Sequence, residues 1–137
     1  MRREQARAAN DYIPKPRLGF IGLGFTGLSR LRTLTSTSQA EVVALADAAP
    51  LSLERALACT RGAIGLSSIE DMLDQDLDGP VVSTPTGPHA EHVLAALERG
   101  IAVFCEKPLG RSTTETRHIV EVAQKCDKLL GVDLCYR

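Results

Sequence analysis

Three glycines, Gly22, Gly24 and Gly27, stand in the run LGFIGLGFTGLSR with the spacing G-x-G-x-x-G. That spacing lets a chain turn sharply out of a strand, lets backbone approach a pyrophosphate, and lets the next helix pack closely on the strand. Gly22 is assigned to the turn, Gly24 to the approach and Gly27 to the packing, with Phe25 and Thr26 counted in the same cofactor loop. The positive end of the helix and its free N–H groups would then face a phosphate. Asp47 lies twenty residues past Gly27 and ends an apolar run. A carboxylate there accepts hydrogen bonds from the adenosine ribose and repels a 2′-phosphate, and the following Ala48-Ala49-Pro50 supplies no arginine to receive one. NAD is therefore expected in preference to NADP. A purely local alternative has Asp47 capping the helix that Pro50 starts, and the two uses are compatible.

A second constellation lies in STPTGPHAEHVLAALERGIAVFCEKPLG, Ser83 to Gly110. Thr84 and Pro85 end a strand, so their backbone should line the ribose and nicotinamide side of a crevice. His89 begins the next helix as a packing and hydrogen-bonding residue, since nothing adjacent in sequence would orient it as an acid or base. Lys107 ends an otherwise apolar strand and is thereby a cation delivered on a rigid support, suited to share in proton transfer. His89, Glu106 and Lys107 are counted with the crevice residues expected to bind the cofactor, and the bland alternative is an exposed lysine paired with Glu106. Pro108 stiffens the turn, and the isomer of the Lys107–Pro108 bond is not encoded in the sequence.

These residues need elements to bring them together. From Arg17 onward, short β-rich runs alternate with helix-period runs, the pattern of βαβ units and a parallel sheet. Strands are expected at Arg17–Ile21, Glu41–Asp47, near Ala63–Leu66, at Pro80–Pro85, Ile101–Glu106 and Lys128–Leu134. The first helix carries Leu28, Leu31 and Leu34 on one side. A second runs from Pro50 to Thr60, and Ser67 with Glu70 has the capping-box spacing for a short third. His89–Arg99 places Ala90, Val93, Leu94 and Leu97 on one apolar face, closed by Gly100. Ser112 with Glu115 opens the last, whose Ile119, Val120 and Ala123 should face the sheet. Right-handed crossovers of this length give a doubly wound α/β sheet of order 3-2-1-4-5-6, with its ligand crevice at the carboxyl ends of the first and fourth strands.

Composition narrows the classes. The chain has 137 residues, the size of one domain, and 44% hydrophobic with 24% charged residues is ordinary for a globular protein. Sixteen Lys plus Arg against seventeen Asp plus Glu leave a formal charge of −1, so no overall field draws it to nucleic acid or an anionic membrane. No apolar stretch reaches the ~20 residues that span a bilayer. Residues 1–16 carry no complete export signal and read as an arm, with the domain running from 17 to 137. Cys59, Cys105, Cys126 and Cys135 form no C-x-x-C pair and no metal cluster, and read as buried free thiols in a reducing, cytoplasmic setting.

The second constellation closely resembles the signature of the glucose-fructose oxidoreductase, inositol dehydrogenase and rhizopine catabolism family, in which a T-P-x-x-x-H turn precedes a helix and a strand ends in E-K-P. The resemblance covers Arg17 to Arg137. It implies an NAD(P)-binding Rossmann domain of a dehydrogenase that exchanges hydride between nicotinamide and a CH–OH carbon of a sugar, cyclitol or related polyol. It further implies that Lys107 contacts the nicotinamide ribose and the substrate hydroxyl as the catalytic residue, and that Arg137 lies near the nicotinamide. Thr86 stands where the family commonly has Asn. Family members continue into an α+β substrate domain that supplies the remaining catalytic residues and the oligomer interface, so this chain alone is expected to bind NAD and turn over nothing. A non-catalytic NAD-sensing regulatory domain shares the glycines and the acid but has no need of E-K-P. An S-adenosylmethionine-dependent methyltransferase usually spaces its glycines differently.

Overall fold

The computed structural model describes residues 13–134. Residues 1–12 of the expected arm, and Cys135 and Arg137 with its expected cofactor role, lie outside the described residues. Six strands form one parallel sheet: β1 (Arg17–Ile21), β2 (Glu41–Ala46), β3 (Ile64–Leu66), β4 (Gly79–Val82), β5 (Val103–Glu106) and β6 (Leu130–Asp133), in the order β3-β2-β1-β4-β5-β6. The helices are α1 (Phe25–Thr37), α2 (Pro50–Leu57), α3 (Ile69–Leu73), α4 (His89–Glu98) and α5 (Thr113–Lys125).

Neighbouring residues of a strand point to opposite faces, so the apolar runs feed two cores at once. Phe20, Leu45 and Val81 pack with Leu31 of α1 and Ala56 of α2. Ile21, Val82, Val103 and Cys105 pack on the other face with Val93 and Leu97 of α4 and Ile119 of α5. The split follows from handedness. Right-handed crossovers that step from β1 toward β3 put their helices on one face, and those that step from β4 toward β6 put theirs on the other. Strands β5 and β6 are consequently less covered on the α1 side. Phe104 is 36% exposed there, and a groove of about 790 Å³ runs along that face past Leu18, Leu34, Val81 and Phe104.

Local chemistry sets the element ends. Gly100 takes a left-handed φ of 73° after α4, and the Ile101 and Gly100 N–H groups donate to Ala96 and Leu97 carbonyls at 3.0 and 2.9 Å. This Schellman closure uses the Ile101 N–H, so β5 begins at Val103 instead of the expected Ile101. Ser112 caps α5 by accepting from the Glu115 N–H at 3.1 Å. The Glu115 carboxylate accepts from the Arg111 N–H at 2.5 Å and not from Ser112, so the box closes one residue earlier than its usual form.

Several expected boundaries are corrected. Helix α2 stops at Leu57, not Thr60, because Cys59 and Thr60 donate to the carbonyls three residues back. The cap of α3 is Ser68, accepting from Asp71, and not Ser67, since S-x-x-D fits one residue along as well as S-x-x-E does. Strand β4 ends at Val82, which leaves Thr84 and Pro85 in the loop beyond it, and β2 and β6 end at Ala46 and Asp133. Val120 of α5 is 39% exposed, turned off the sheet that Ile119 and Ala123 meet. Of the described cysteines only Cys105 is buried, while Cys59 and Cys126 are half-buried.

Candidate cofactor and active site

At the carboxyl edge, β1 runs directly into the glycine loop. Gly22 has φ 87°, a region side chains rarely adopt, and a Cβ added to it would lie 2.3 Å from the Thr84 nitrogen. A Cβ on Gly27 would lie 1.9 Å from the Gly22 carbonyl oxygen, so loop and helix touch through backbone alone. Around Gly24 the opposite holds: a Cβ there would meet nothing within 4 Å. The first helical bond of α1 is donated by Leu28 to Gly24 at 2.9 Å. Phe25, Thr26 and Gly27 therefore keep N–H groups without intramolecular acceptors among the described residues, at the positive end of a thirteen-residue helix. Phe25 is 93% exposed.

Asp47, just past β2, faces this loop. One carboxylate oxygen accepts from the Leu23 N–H at 2.6 Å and the other from the Ala49 N–H at 2.7 Å. The acid thus does not cap α2 in the usual way, whose N-cap is Ala49. It ties the loop to the chain entering α2, and each oxygen retains a lone pair for a further donor.

On the β4 side, Ser83 was not singled out by sequence reasoning. Its N–H donates to the Ile21 carbonyl, while its buried hydroxyl has no partner among the described residues, and its Cβ lies 3.2 Å from where a Gly27 Cβ would stand. An orphaned hydroxyl beside two close-packed glycines, an open space at Gly24 and a row of free N–H groups together fit the phosphates and ribose of a dinucleotide.

His89, at the start of α4, is 1% exposed. Its Nε2 lies 2.7 Å from the Thr84 carbonyl oxygen and its Nδ1 2.8 Å from the Pro108 carbonyl oxygen. A neutral imidazole carries one N–H and serves one of these acceptors in each tautomer, and only the doubly protonated ring donates to both. The ring sits between the loop after β4 and the turn after β5, and it ties the two together when it donates through both nitrogens. His92, one turn along, meets the Thr84 hydroxyl at 3.3 Å through Nδ1. Burial pushes the His92 ring below its usual value, a fall opposed by Glu91 and Glu70 and reinforced by His89.

Lys107 follows β5 at the crevice edge, exposed, in a cis peptide bond with Pro108. The alternative pairing of Lys107 with Glu106 is not what the structure has: the Glu106 carboxylate is bound by the Arg30 guanidinium of α1. Arg30 also binds Asp133 of β6 and lies over the Phe104 ring, 5.6 Å from its centroid. Neither Arg30 nor Asp133 is recognisable as a site residue from sequence, because their juxtaposition depends on the strand order. On the opposite face, burial and then the Glu106 charge push the Cys105 thiol up to about 12, so it is unreactive at neutral pH.

Residues 16–134 match the model of a family described as Oxidoreductase family, NAD-binding Rossmann fold. Inositol 2-dehydrogenase 3 of Saccharopolyspora erythraea is 39% identical over 119 residues, covering 83% of this chain and 34% of that protein. The rhizopine catabolism protein MocA of Rhizobium meliloti is 31% identical over 110 residues, covering 80% and 34%. Among solved structures, the WlbA dehydrogenase from Bordetella pertussis, in complex with NADH and UDP-GlcNAcA, aligns with TM-score 0.78 and 30% identity over 88% of this chain and 35% of that one. The chain spans about a third of the length of these relatives.

Proposed function

The chain belongs to this oxidoreductase family, Gfo/Idh/MocA, with its NAD-binding Rossmann fold, and on that premise we propose that its carboxyl edge holds NAD for hydride exchange with a CH–OH carbon of a sugar, cyclitol or related polyol. The observation that carries the reading is the pairing of an open, N–H-lined Gly24 with a carboxylate anchored on the same loop. The cofactor, when bound, supplies the redox chemistry by accepting or giving the hydride. The chain's own residues hold and orient it. Gly22, Gly24 and Gly27, with the N–H groups of Phe25 and Thr26, receive the pyrophosphate. The remaining lone pairs of Asp47 accept from the adenosine ribose and set NAD over NADP. Thr84 and Pro85, steadied by His89, form the crevice wall.

Lys107 stands at the reacting end, where its ammonium would donate a hydrogen bond to the substrate hydroxyl oxygen and orient the carbinol carbon toward the nicotinamide. Relatives named for inositol and the WlbA complex with a nucleotide sugar support a hydroxyl-rich substrate class. The remaining substrate contacts, and an oligomer interface, are assigned to a second domain of the kind that the longer relatives have room for. Calorimetric titration of the chain with NAD, NADP and S-adenosylmethionine tests the cofactor reading. Binding of NAD tighter than NADP by about tenfold or more, and its loss by at least tenfold in Asp47→Ala, is the expected result. Failure to bind NAD overturns it.

A further inference from the structure

We propose that Arg30 is a positioning residue that keeps Lys107 unpaired by holding the Glu106 and Asp133 carboxylates; this rests on the reading that Lys107 works at the crevice. Glu106 and Asp133 stand opposite each other in the register of β5 and β6. Two like charges facing each other across a sheet repel, and both are largely withdrawn from solvent, with side chains 11% and 15% exposed. A single guanidinium from α1 reaches both and lies over Phe104, the residue two before Glu106 on the same strand. Planar, multiply donating and always charged, Arg suits this bridging position in a way Lys does not.

The consequence falls on the next residue along. Lys107 follows Glu106 directly, so an uncompensated Glu106 charge would stand on the adjacent residue and favour the protonated amine. With Glu106 taken by Arg30, no carboxylate among the described residues pairs with Lys107. Arg30 thereby leaves a free cation at the crevice while its own charge is spent on two acids. The same contact joins α1, which begins at the phosphate loop, to the strand that carries Lys107.

The test measures amine labelling of Lys107 by an N-hydroxysuccinimide ester at fixed pH, read by peptide mass spectrometry with Lys125 and Lys128 as internal references, in the chain without cofactor. Arg30→Gln should slow Lys107 labelling about fivefold relative to the references, because a freed carboxylate favours the protonated amine. Arg30→Gln with Glu106→Gln should restore it to within about twofold. Unchanged labelling in Arg30→Gln, or a loss that Glu106→Gln does not restore, overturns the proposal. Should Arg30→Gln fail to fold, Glu106→Gln alone decides. It should leave Lys107 labelling unchanged if Arg30 already holds the acid, and accelerate it, against the proposal, if Glu106 pairs with Lys107. NADH titration of the same variants reports on the crevice reading separately, since labelling needs no cofactor. Arg30→Gln should weaken NADH by no more than about threefold if the phosphate loop is intact.

Discussion

The two corners of the crevice are built by opposite means. The corner at the ends of β1 and β2 is made of backbone: Gly22 against Thr84, Gly27 against the Gly22 carbonyl, and one carboxylate, Asp47, tying loop to strand. The corner at the ends of β5 and β6 is made of side chains: His89 between two carbonyls, and Arg30 between two acids. Backbone contacts fix distances with little room for adjustment, which suits a group of constant shape such as the pyrophosphate proposed to bind there. Side-chain contacts fix charge and orientation, which suits the end where the proposed hydride exchange would take place.

The sharpest way to break this contrast is to add volume to the first corner. Gly27→Ala places a methyl against the Gly22 carbonyl and should destabilise the fold by about 3 kcal/mol in urea unfolding. Gly24→Ala meets nothing and should leave stability within about 0.5 kcal/mol while weakening NAD at least tenfold. Equal stability losses in both variants would erase the assigned division of labour.

A smaller effect is expected at the second corner. His89→Ala removes the ring that stands between the Thr84 and Pro108 carbonyls, with its N–H donation and its buried packing, and should cost about 2 kcal/mol. Its affinity loss for NAD should be less than that of Gly24→Ala, because the phosphate loop does not depend on it.

The smallest effect is pH dependence from His92. Its folded value lies below the ordinary 6.5, so the unfolded chain takes up more protons on acidification. Its contribution to stability is thus intact above about 6.5 and declines as pH falls below it. His92→Gln should flatten the urea midpoint between pH 7 and 5.5, and an unchanged slope would remove His92 as its source.

The two corners also differ in how much of them the sequence reveals. The glycine loop is legible because its geometry is local: strand, turn and helix start are consecutive, and the limits of β1 and the roles expected of Gly22 and Gly27 match the observed turn and contact. The apolar face of α4 and the Ser112 cap are legible for the same reason. Family resemblance added Glu106-Lys107-Pro108, but not what holds it. Arg30 and Asp133 lie more than a hundred residues apart, and the strand order β1-β4-β5-β6 is what brings α1 and β6 within reach of each other. Ser83 reads as an ordinary strand-end serine until the close approach of Gly27 is seen to bury its hydroxyl. Edges of elements were least legible, since Ser67 and Ser68 offer competing caps and the local turn after Leu57 competes with one more helical turn.

The backbone contact between Gly22 and Gly27 has a thermodynamic consequence. A loop wedged between a helix and the adjacent strand end has already lost its conformational freedom on folding. A ligand that lands on it orders little more, so most of the interaction energy of its phosphates with the waiting N–H groups is retained as affinity. The entropic cost of building the site is charged to the fold, where the two hydrophobic cores share it, and not to the cofactor.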